Sequence, residues 1–231
     1  MKPVDNTSDG SYSRAVTRFS RPHVAKDYPS EYDDSSRRDR TEKAAILRAL
    51  KHIKPGGHVL DLPCGTGRLS RLLLEQGFEV TGADSSASML EHAAENHRQR
   101  LQAVPNLGNI DFELADVMHT PYADEQFDAV ISNRLFHHFN TSELRRPAIA
   151  ELARISSGPV VISFFNSFSL SAQWRHLKRS IKGVTPKDRI PIPRALLEAD
   201  LESQGLKAID WHATRWGISP HWYVVAIKRQ E

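Results

Sequence analysis

The sequence predicts an α/β protein with a doubly wound, mostly parallel seven-stranded sheet whose last strand runs antiparallel. Two observations carry this prediction. From residue 41 onward, strand-like apolar segments alternate with helix-like segments, which is typical of a parallel sheet with helices on both faces. Near the end of the chain only residues 217–220 separate two strand-like segments, so these two are expected to form an antiparallel hairpin.

The expected elements follow in order. Thr41 is placed to cap the helix before the first strand, and Gly77 to end the helix after it. Ser85 or Ser86 is expected to cap the third helix, and Pro147 must either start or kink the fourth. The expected strands are residues 58–62, 78–84, 110–116, 127–133, 158–165, 206–216 and 221–229.

The chain has 231 residues, enough for one domain with a sizeable core. We expect residues 1–40 to form a flexible arm that can cap a domain at 41–231. The net charge of +3 is too small to argue for nucleic-acid binding by itself. The N-terminus lacks an apolar signal region, no run is long enough to span a bilayer, and Cys64 is the single cysteine, so a cytoplasmic location is expected. We predict no metal site, and the sequence does not indicate an oligomeric state.

Polar residues stand at the carboxyl ends of the expected strands, where doubly wound sheets bind ligands. Asp61 leads into a turn containing Gly65 and Gly67, which allow a ligand to approach the backbone. Asp84, at the tip of the neighbouring strand, is placed to hold both hydroxyls of a ribose. Asp116 can accept from an exocyclic amine, and Asp61 can hold an ammonium group. These groups suit a ligand with a ribose, an aminated base and a cationic amino-acid end.

Four segments resemble the class I S-adenosylmethionine-dependent methyltransferases, which have a Rossmann-like fold. They are VLDLPCGTG (59–67), VTGADSS (80–86), LADVMHTPY (114–122) and FDAVISNRLFHHF (127–139). The resemblance covers roughly residues 41–228 and implies S-adenosylmethionine as the cofactor and S-adenosylhomocysteine as the product. It departs from the family at Pro63, where glycine is usual, because proline fixes φ and removes an N–H.

The resemblance also implies roles for individual residues. Asp61 would lie near the amino group of the cofactor, Asp84 would bind the ribose and Asp116 would take the adenine amine. The other cofactor residues that it implies are Pro63, Gly65, Thr66 and Gly67 in the turn, Ser85 and Met89 beside the adenosine, Val117 and Met118 at the base, and Asn133 at the methionine end.

The segment at 135–139 follows the fourth strand and, in the resembling family, often lines the acceptor pocket. We predict that His138 or His137 acts as a general base and that the other packs structurally. Phe136 belongs to the same segment, and Tyr28 and Tyr32 are placed to close over the site from the N-terminal arm. The predicted substrate contacts are Tyr28, Tyr32, Phe136, Trp174 and Arg175.

A basic insertion is expected at about residues 166–193. The stretch 169–194 contains a single acid, Asp188, against seven basic residues, which are Arg175, Lys178, Arg179, Lys182, Lys187, Arg189 and Arg194. One interpretation is a lid that recognises an acidic acceptor, a phosphorylated lipid or RNA. The other is a solvated amphipathic helix.

Simpler interpretations compete with several of these assignments. A nicotinamide-dinucleotide site would need a third glycine after Gly67 and would leave Asp61 and Asp116 unexplained. Asp84 is also placed to cap a helix, and Asp116 could be an ordinary loop acid. Cys64 is best explained as a small buried residue, because a nucleophilic cysteine needs a positive environment and a base.

The sequence therefore predicts an S-adenosylmethionine-dependent methyltransferase that acts on O, N or C of a small-molecule or lipid-like acceptor. Two alternatives stay open: an RNA or protein methyltransferase that uses the basic insertion, and a non-catalytic cofactor-binding regulatory protein. SNRLFHH stands after the fourth strand in place of an Asn-Pro-Pro-Tyr-type segment, which argues against amino-group methylation of nucleic-acid bases.

Overall fold

The computed structural model of the chain describes residues 11–19, 21, 24, 26, 28–29, 32, 35–104, 106–174 and 190–229. Six of its helices are α1 (Ser11–Phe19), α2 (Arg37–Ala49), α3 (Arg68–Glu75), α4 (Ala87–Ala103), α5 (Ser142–Ile155) and α6 (Arg194–Ser203). The strands are β1 (His58–Asp61), β2 (Glu79–Asp84), β3 (Ile110–Leu114), β4 (Ala129–Ser132), β5 (Val160–Phe165), β6 (Leu206–Ala213) and β7 (His221–Lys228).

The seven strands form one sheet in the order β3-β2-β1-β4-β5-β7-β6. Strands β1 to β5 pair in parallel, and β7 runs antiparallel to both of its neighbours. The predicted fold class is therefore confirmed. Because the chain builds outward from β1 to β3 and then starts again at β4 on the other side of β1, the winding reverses between β1 and β4. In such sheets a crevice opens at that point, beyond the carboxyl ends of the strands.

The expected strands are all present, although each of them is one to three residues shorter than the pattern indicated. Ser86 caps α4 by accepting a hydrogen bond from the backbone N–H of Met89 at 3.3 Å. Gly77 follows α3 with a left-handed φ of 83°, as expected of a residue just beyond a helix end. Pro147 does not start α5 but lies inside it, six residues into the helix from Ser142.

The start of α2 differs from the sequence prediction. Ser36 is the N-cap and accepts from the backbone N–H of Asp39 at 3.4 Å, whereas Thr41 lies inside the helix and donates its hydroxyl to the carbonyl of Arg38 at 2.9 Å. Thr41 was therefore the wrong cap. The apolar periodicity misled because it marks only the part of α2 that packs on the sheet, and the first polar turn lies outside that contact.

We expect the Ser36→Ala variant to lose about 1 kcal/mol of unfolding free energy, because the N–H group at the start of α2 loses its partner. The Thr41→Ala variant is its matched control and is expected to stay within about 0.5 kcal/mol of the wild type, since alanine is the better helix former. Urea unfolding of both variants measures the difference. Equal losses would mean that the cap does not stabilise the chain at Ser36.

Helix α1 also differs from expectation, because residues 11–19 are helical although the sequence predicted a flexible arm. Tyr12, Val16 and Phe19 recur at i, i+4 and i+7 and line the cleft described below. The ring of Tyr12 lies 5.3 Å from that of Phe139, which belongs to the core. These nine residues thus cover the carboxyl edge of the sheet.

The hydrophobic core lies on both faces of the sheet. One cluster joins α5, α6 and the segment after β4 to one face, and the other joins α2 and α3 to the opposite face. The central strands β4 and β5 are almost fully buried, as their continuous apolar runs predicted. In the part of the chain that the structure describes, none of the helices is both long and apolar enough to cross a membrane.

Candidate active site

A cleft lies at the carboxyl edge of the sheet, where the winding reverses. It encloses about 880 Å³ of space, including its opening to solvent. Residues after β1, β2, β3 and β4 form its floor, and α1 lies across it. Ten of the residues predicted from the sequence line it: Tyr28, Pro63, Gly65, Thr66, Asp84, Ser85, Met89, Val117, Asn133 and His138.

The two glycines of the first turn have different surroundings. Gly65 has a φ of 56°, and nothing lies within 4 Å of the position that a Cβ would take. Gly67 has a φ of 80°, but a Cβ there would meet Ala93 and Phe112 at 3.4 Å. The open side of Gly65 therefore faces the cleft, whereas Gly67 serves the packing of α3 against α4 and β3.

Pro63 fits this turn without the loss of a hydrogen bond. The residues on either side of it donate to the sheet: Leu62 N–H to the carbonyl of Ile131 at 2.9 Å, and Cys64 N–H to that of Ala83 at 2.7 Å. Because these two bonds hold the turn, the missing N–H of proline leaves no acceptor of the sheet unpaired. The Leu62–Pro63 peptide bond is cis, and Pro63 lines the cleft.

Asp84 is the buried acid at the centre of the cleft. One carboxylate oxygen accepts from the backbone N–H of Gly65 and the other from that of Ser86, both at 2.9 Å. Burial raises the pKa of Asp84 to about 6 against the effect of these bonds, which lower it. The N-cap of α4 is Ser86, so helix capping does not explain Asp84. Each carboxylate oxygen can accept a second bond, which leaves capacity for two hydroxyl groups.

Asp61 lies deeper, at the end of β1. It has no exposed surface, and one oxygen accepts from the hydroxyl of Ser70 at 2.7 Å. The other oxygen has no hydrogen-bond partner among the described residues. Burial raises the pKa of Asp61 to about 7, the Ser70 hydroxyl lowers it, and the charge of Asp84 raises it again. A buried carboxylate with an unused oxygen is suited to a cationic ligand group, reached directly or through water.

Cys64 lies between these two acids and is buried. Burial raises the pKa of its thiol, and the charges of Asp61 and Asp84 raise it further. A thiol of this kind is not ionised at neutral pH and is a poor nucleophile. The interpretation of Cys64 as a small buried residue is confirmed.

Asp116 is not among the residues that line the cleft, although it is bonded to the helix that covers it. Its carboxylate accepts a short hydrogen bond from the hydroxyl of Tyr12 and a 2.9 Å bond from the backbone N–H of Met118. Val117 lines the cleft, and Met118 packs against the core. The bond to its own loop fits an ordinary turn acid, whereas the bond to Tyr12 ties α1 to the third strand tip.

Two further bonds hold the N-terminal segment over the cleft. The hydroxyl of Ser86 donates to the carbonyl of Phe19, and that of Thr66 donates to the carbonyl of Pro29, at 2.9 and 2.8 Å. The ring of Tyr28 meets that of Phe19 edge-on, with 6.0 Å between ring centres. The segment is thus attached to the ends of both β1 and β2.

The two histidines after β4 take different positions. His138 lines the cleft and meets the ring of Phe19 edge-on at 5.7 Å. His137 stacks on Phe165 with 4.4 Å between ring centres and 8° between planes. Asn133 is held by Tyr223, whose hydroxyl donates to its side-chain oxygen at 3.0 Å. His138 is therefore the histidine beside Asn133 in the cleft, and His137 packs against the sheet.

The other predicted substrate residues lie elsewhere. Phe136 has no exposed surface and packs in the core against Phe139. The ring of Tyr32 lies 4.0 Å below the guanidinium of Arg68. Trp174 is 57% exposed to solvent. Arg175 and residues 176–189, with most of the basic insertion, lie outside the described residues.

The sequence analysis missed a buried ionic group beside the cleft. Glu42 pairs with Arg68 at 2.9 Å and with Arg134, whose Nε lies 3.1 Å from it, and Nδ1 of His221 lies 3.9 Å away. Burial alone would raise the pKa of Glu42, but the neighbouring His221, Arg134 and Arg68 outweigh it and lower the pKa to about 2. One signal was present, since Glu42 shares the apolar stripe of α2 with Ala45, three residues on.

Arg134 has a left-handed backbone, with a φ of 61°. Its N–H donates to the hydroxyl of Ser163 at 2.6 Å, and its guanidinium holds Glu42. Left-handed backbone is unfavourable for a residue with a long side chain and is often kept at functional sites. This conformation turns Arg134 from the end of β4 into the wall of the cleft.

Residues 59–157 match the family model described as a methyltransferase domain. The probable tRNA methyltransferase 9B of Bos taurus is 29% identical over 141 residues, which are 61% of this chain and 28% of that protein. The malonyl-[acyl-carrier protein] O-methyltransferase of Erwinia pyrifoliae is 34% identical over 140 residues, 58% of this chain and 48% of that protein. The chain thus spans less than half the length of these curated relatives.

Among solved structures, the magnesium protoporphyrin IX methyltransferase of Synechocystis, with bound S-adenosylhomocysteine, has a TM-score of 0.66 and 22% identity. The match covers 83% of each chain. Together with the family match, it confirms the resemblance that the four sequence segments indicated.

Proposed function

We propose that this chain, which carries a class I S-adenosylmethionine-dependent methyltransferase domain, transfers a methyl group from S-adenosylmethionine to a small-molecule or lipid-like acceptor. The arrangement of Asp84 and Gly65 carries the proposal. Asp84 is a buried acid fixed by two backbone N–H groups, and it lies beside the open face of Gly65 where the winding of the sheet reverses.

The residues of the cleft fit the proposed cofactor. Asp84 offers acceptors to the two hydroxyls of a ribose, and the open side of Gly65 gives room for the methionine part of the cofactor. The unpartnered oxygen of Asp61 suits the ammonium group. Met89 and Val117 are buried apolar side chains of the lining and suit the faces of a base. We infer the ribose, ammonium and base positions from these contacts.

When bound, the cofactor supplies a methyl carbon already activated by a sulfonium, so the bond to sulfur breaks as the acceptor's electron pair forms the new bond. The protein therefore has to align the acceptor and exclude water. Helix α1, which ends at Phe19, and Tyr28 line the cleft from the N-terminal side, where they would limit the access of solvent. The proton of a hydroxyl or amine acceptor needs a base, and His138 lines the cleft next to Asn133.

We expect the His138→Gln variant to lower kcat about tenfold, because it removes a group that can accept a proton and keeps its size. Its affinity for S-adenosylhomocysteine is expected to stay within about twofold of the wild type. His137→Gln is the comparison, since His137 stacks on Phe165 and does not line the cofactor cleft, and it is expected to lower kcat less than the His138 variant does. A larger loss of kcat in the His137 variant would reverse the assignment.

The activity is tested by incubating the purified chain with S-adenosylmethionine labelled in its methyl group and a cell extract. The extract is then separated into RNA, protein, water-soluble and organic-soluble fractions. Label in either small-molecule fraction supports the proposal. Label in RNA or protein supports the alternative of an RNA or protein methyltransferase, for which the similarity to a probable tRNA methyltransferase is the reason. Binding of S-adenosylhomocysteine without label in any fraction supports a regulatory protein.

A further inference from the structure

A second cleft opens directly beside the first. The two share Phe19, Tyr28, Arg134 and His138, so the second cleft begins where the first one ends, at the histidine proposed as a base. Its walls come from α1, the start of α2, the 3-10 turn after β4 and the β6–β7 connection. It encloses about 1460 Å³ including its opening to solvent. In the proposed reaction this is the space available to the acceptor.

The lining of the second cleft is strongly basic. Within the part of the chain that the structure describes, one carboxylate lines it, that of Glu42, against five guanidinium groups, those of Arg18, Arg37, Arg38, Arg134 and Arg215. Glu42 is held by Arg134 and by Arg68, so it does not neutralise the other four guanidinium groups of the lining. Within the same described residues, Arg37, Arg38 and Arg215 lie beyond salt-bridge distance of any carboxylate.

A buried histidine in the same cleft provides an independent observation. The side chain of His221 is nine-tenths buried, and its Nε2 has no hydrogen-bond partner among the described residues. Burial lowers the pKa of His221 to about 4, so the ring is neutral at neutral pH and can donate or accept one hydrogen bond. A buried polar atom without a partner, in the wall of an open cleft, is where a polar group of a ligand would be expected to bind.

Arg215 is held in place by the turn that carries it. Its carbonyl accepts from the backbone N–H groups of Ile218 and Ser219 at 3.2 and 2.9 Å, which closes the connection between β6 and β7. Across the cleft, Arg37 and Arg38 belong to the first turn of α2. Ile218 and Phe165 supply apolar surface between these charges. The cleft thus joins positive groups to a surface for the body of a small molecule.

We propose that the second cleft binds a methyl acceptor that carries a carboxylate or phosphate group, with Arg37, Arg38 and Arg215 holding that group and His221 bonding a further polar atom. That the bound molecule is a methyl acceptor rests on the proposed function, but the anion site itself can be tested without catalysis. Guanidinium groups bind carboxylates and phosphates through paired hydrogen bonds, which explains the choice of arginine over lysine at these positions. The apolar surface that Ile218 and Phe165 supply beside these charges favours the body of a small molecule over the backbone of RNA.

The test measures anion binding by calorimetry on the full chain, first saturated with S-adenosylhomocysteine. The probes are citrate, inorganic pyrophosphate, vesicles with phosphatidylglycerol, and an RNA hairpin. Wild-type protein is expected to bind a soluble anion or the vesicles, and the double variant Arg37→Gln/Arg215→Gln is expected to bind them at least about fivefold more weakly. The matched control is Arg98→Gln on the exposed face of α4, which is expected to bind as the wild type does.

The outcomes separate cleanly. Binding of citrate or pyrophosphate that the double variant weakens supports a soluble acceptor, and the same result with vesicles alone supports a lipid headgroup. Failure of both kinds of probe, equal loss in the Arg98→Gln control, or binding of the RNA hairpin alone overturns the proposal. The first titration, with S-adenosylhomocysteine, reports on the proposed function. A chain that binds this nucleoside but no anion contradicts only the anion site.

Discussion

Replacing Asp84 with asparagine is expected to weaken binding of S-adenosylhomocysteine about 50-fold. The carboxylate accepts from the N–H groups of Gly65 and Ser86, one at each oxygen, and asparagine keeps only one acceptor. The variant therefore leaves one backbone N–H facing an amide NH₂ group and replaces charged acceptors for two ribose hydroxyls by one neutral oxygen. Losing a hydrogen bond to a charged group costs about 1.5–3 kcal/mol, which corresponds to roughly 10- to 150-fold in affinity.

Calorimetry measures the affinity, and circular dichroism checks that the variant is folded. Asp111→Asn is the matched control, since Asp111 is an exposed aspartate on the neighbouring strand β3, and it is expected to leave the affinity unchanged. If Asp84→Asn binds the nucleoside as tightly as the control does, Asp84 does not hold the ribose and the proposed cofactor position is wrong.

The Asp61→Asn variant is expected to be more stable than the wild type above neutral pH, although it should bind S-adenosylhomocysteine more weakly. Burial raises the pKa of Asp61 from its ordinary 3.8 to about 7. Between these two values the folded protein keeps a proton that the unfolded chain has released, so the stability of the wild type falls as the pH rises. Above about pH 7 both states are ionised and the cost stays constant. Asparagine does not titrate and avoids this cost.

Urea unfolding at pH 4, 5.5 and 8 measures the effect. The stability of Asp61→Asn relative to the wild type is expected to rise by roughly 2–4 kcal/mol from pH 4 to pH 8, because one pKa unit corresponds to about 1.4 kcal/mol. Comparing the same two proteins at each pH removes any constant effect of the amide on Ser70. Asp111→Asn again serves as the control and is expected to show little change with pH. A difference that is flat across this range would show that Asp61 is not a destabilising buried acid.

Much of the candidate site could be predicted because parallel strands bring residues that are distant in sequence to one edge. Asp61 and Asp84 end buried strands and Asn133 directly follows one, and the structure places all three strand ends at the same edge. The period of the apolar residues gave the strands, and the helical connections made them parallel. Here local pattern and overall architecture agree, which is why the cleft was found.

The sequence could not give the surroundings of those residues. That Gly65 is open and Gly67 is packed depends on Phe112, 45 residues beyond Gly67, and no local pattern shows it. The burial of Glu42 depends on Arg134, 92 residues away. The short α1 was hidden for another reason: its four apolar residues in nine form too short a pattern to stand out within a polar segment. Contacts of this kind are set by tertiary packing.

Helix α1 makes the two clefts parts of one system. Phe19 belongs to the wall of both, and its carbonyl is tied to Ser86 at the tip of β2. Any ligand that shifts this helix by filling one compartment also reshapes the other. By thermodynamic reciprocity, a molecule that binds in the second cleft changes the affinity for the nucleoside by a certain factor. The nucleoside changes the affinity for that molecule by the same factor. A single nine-residue segment would thus couple binding in the two clefts.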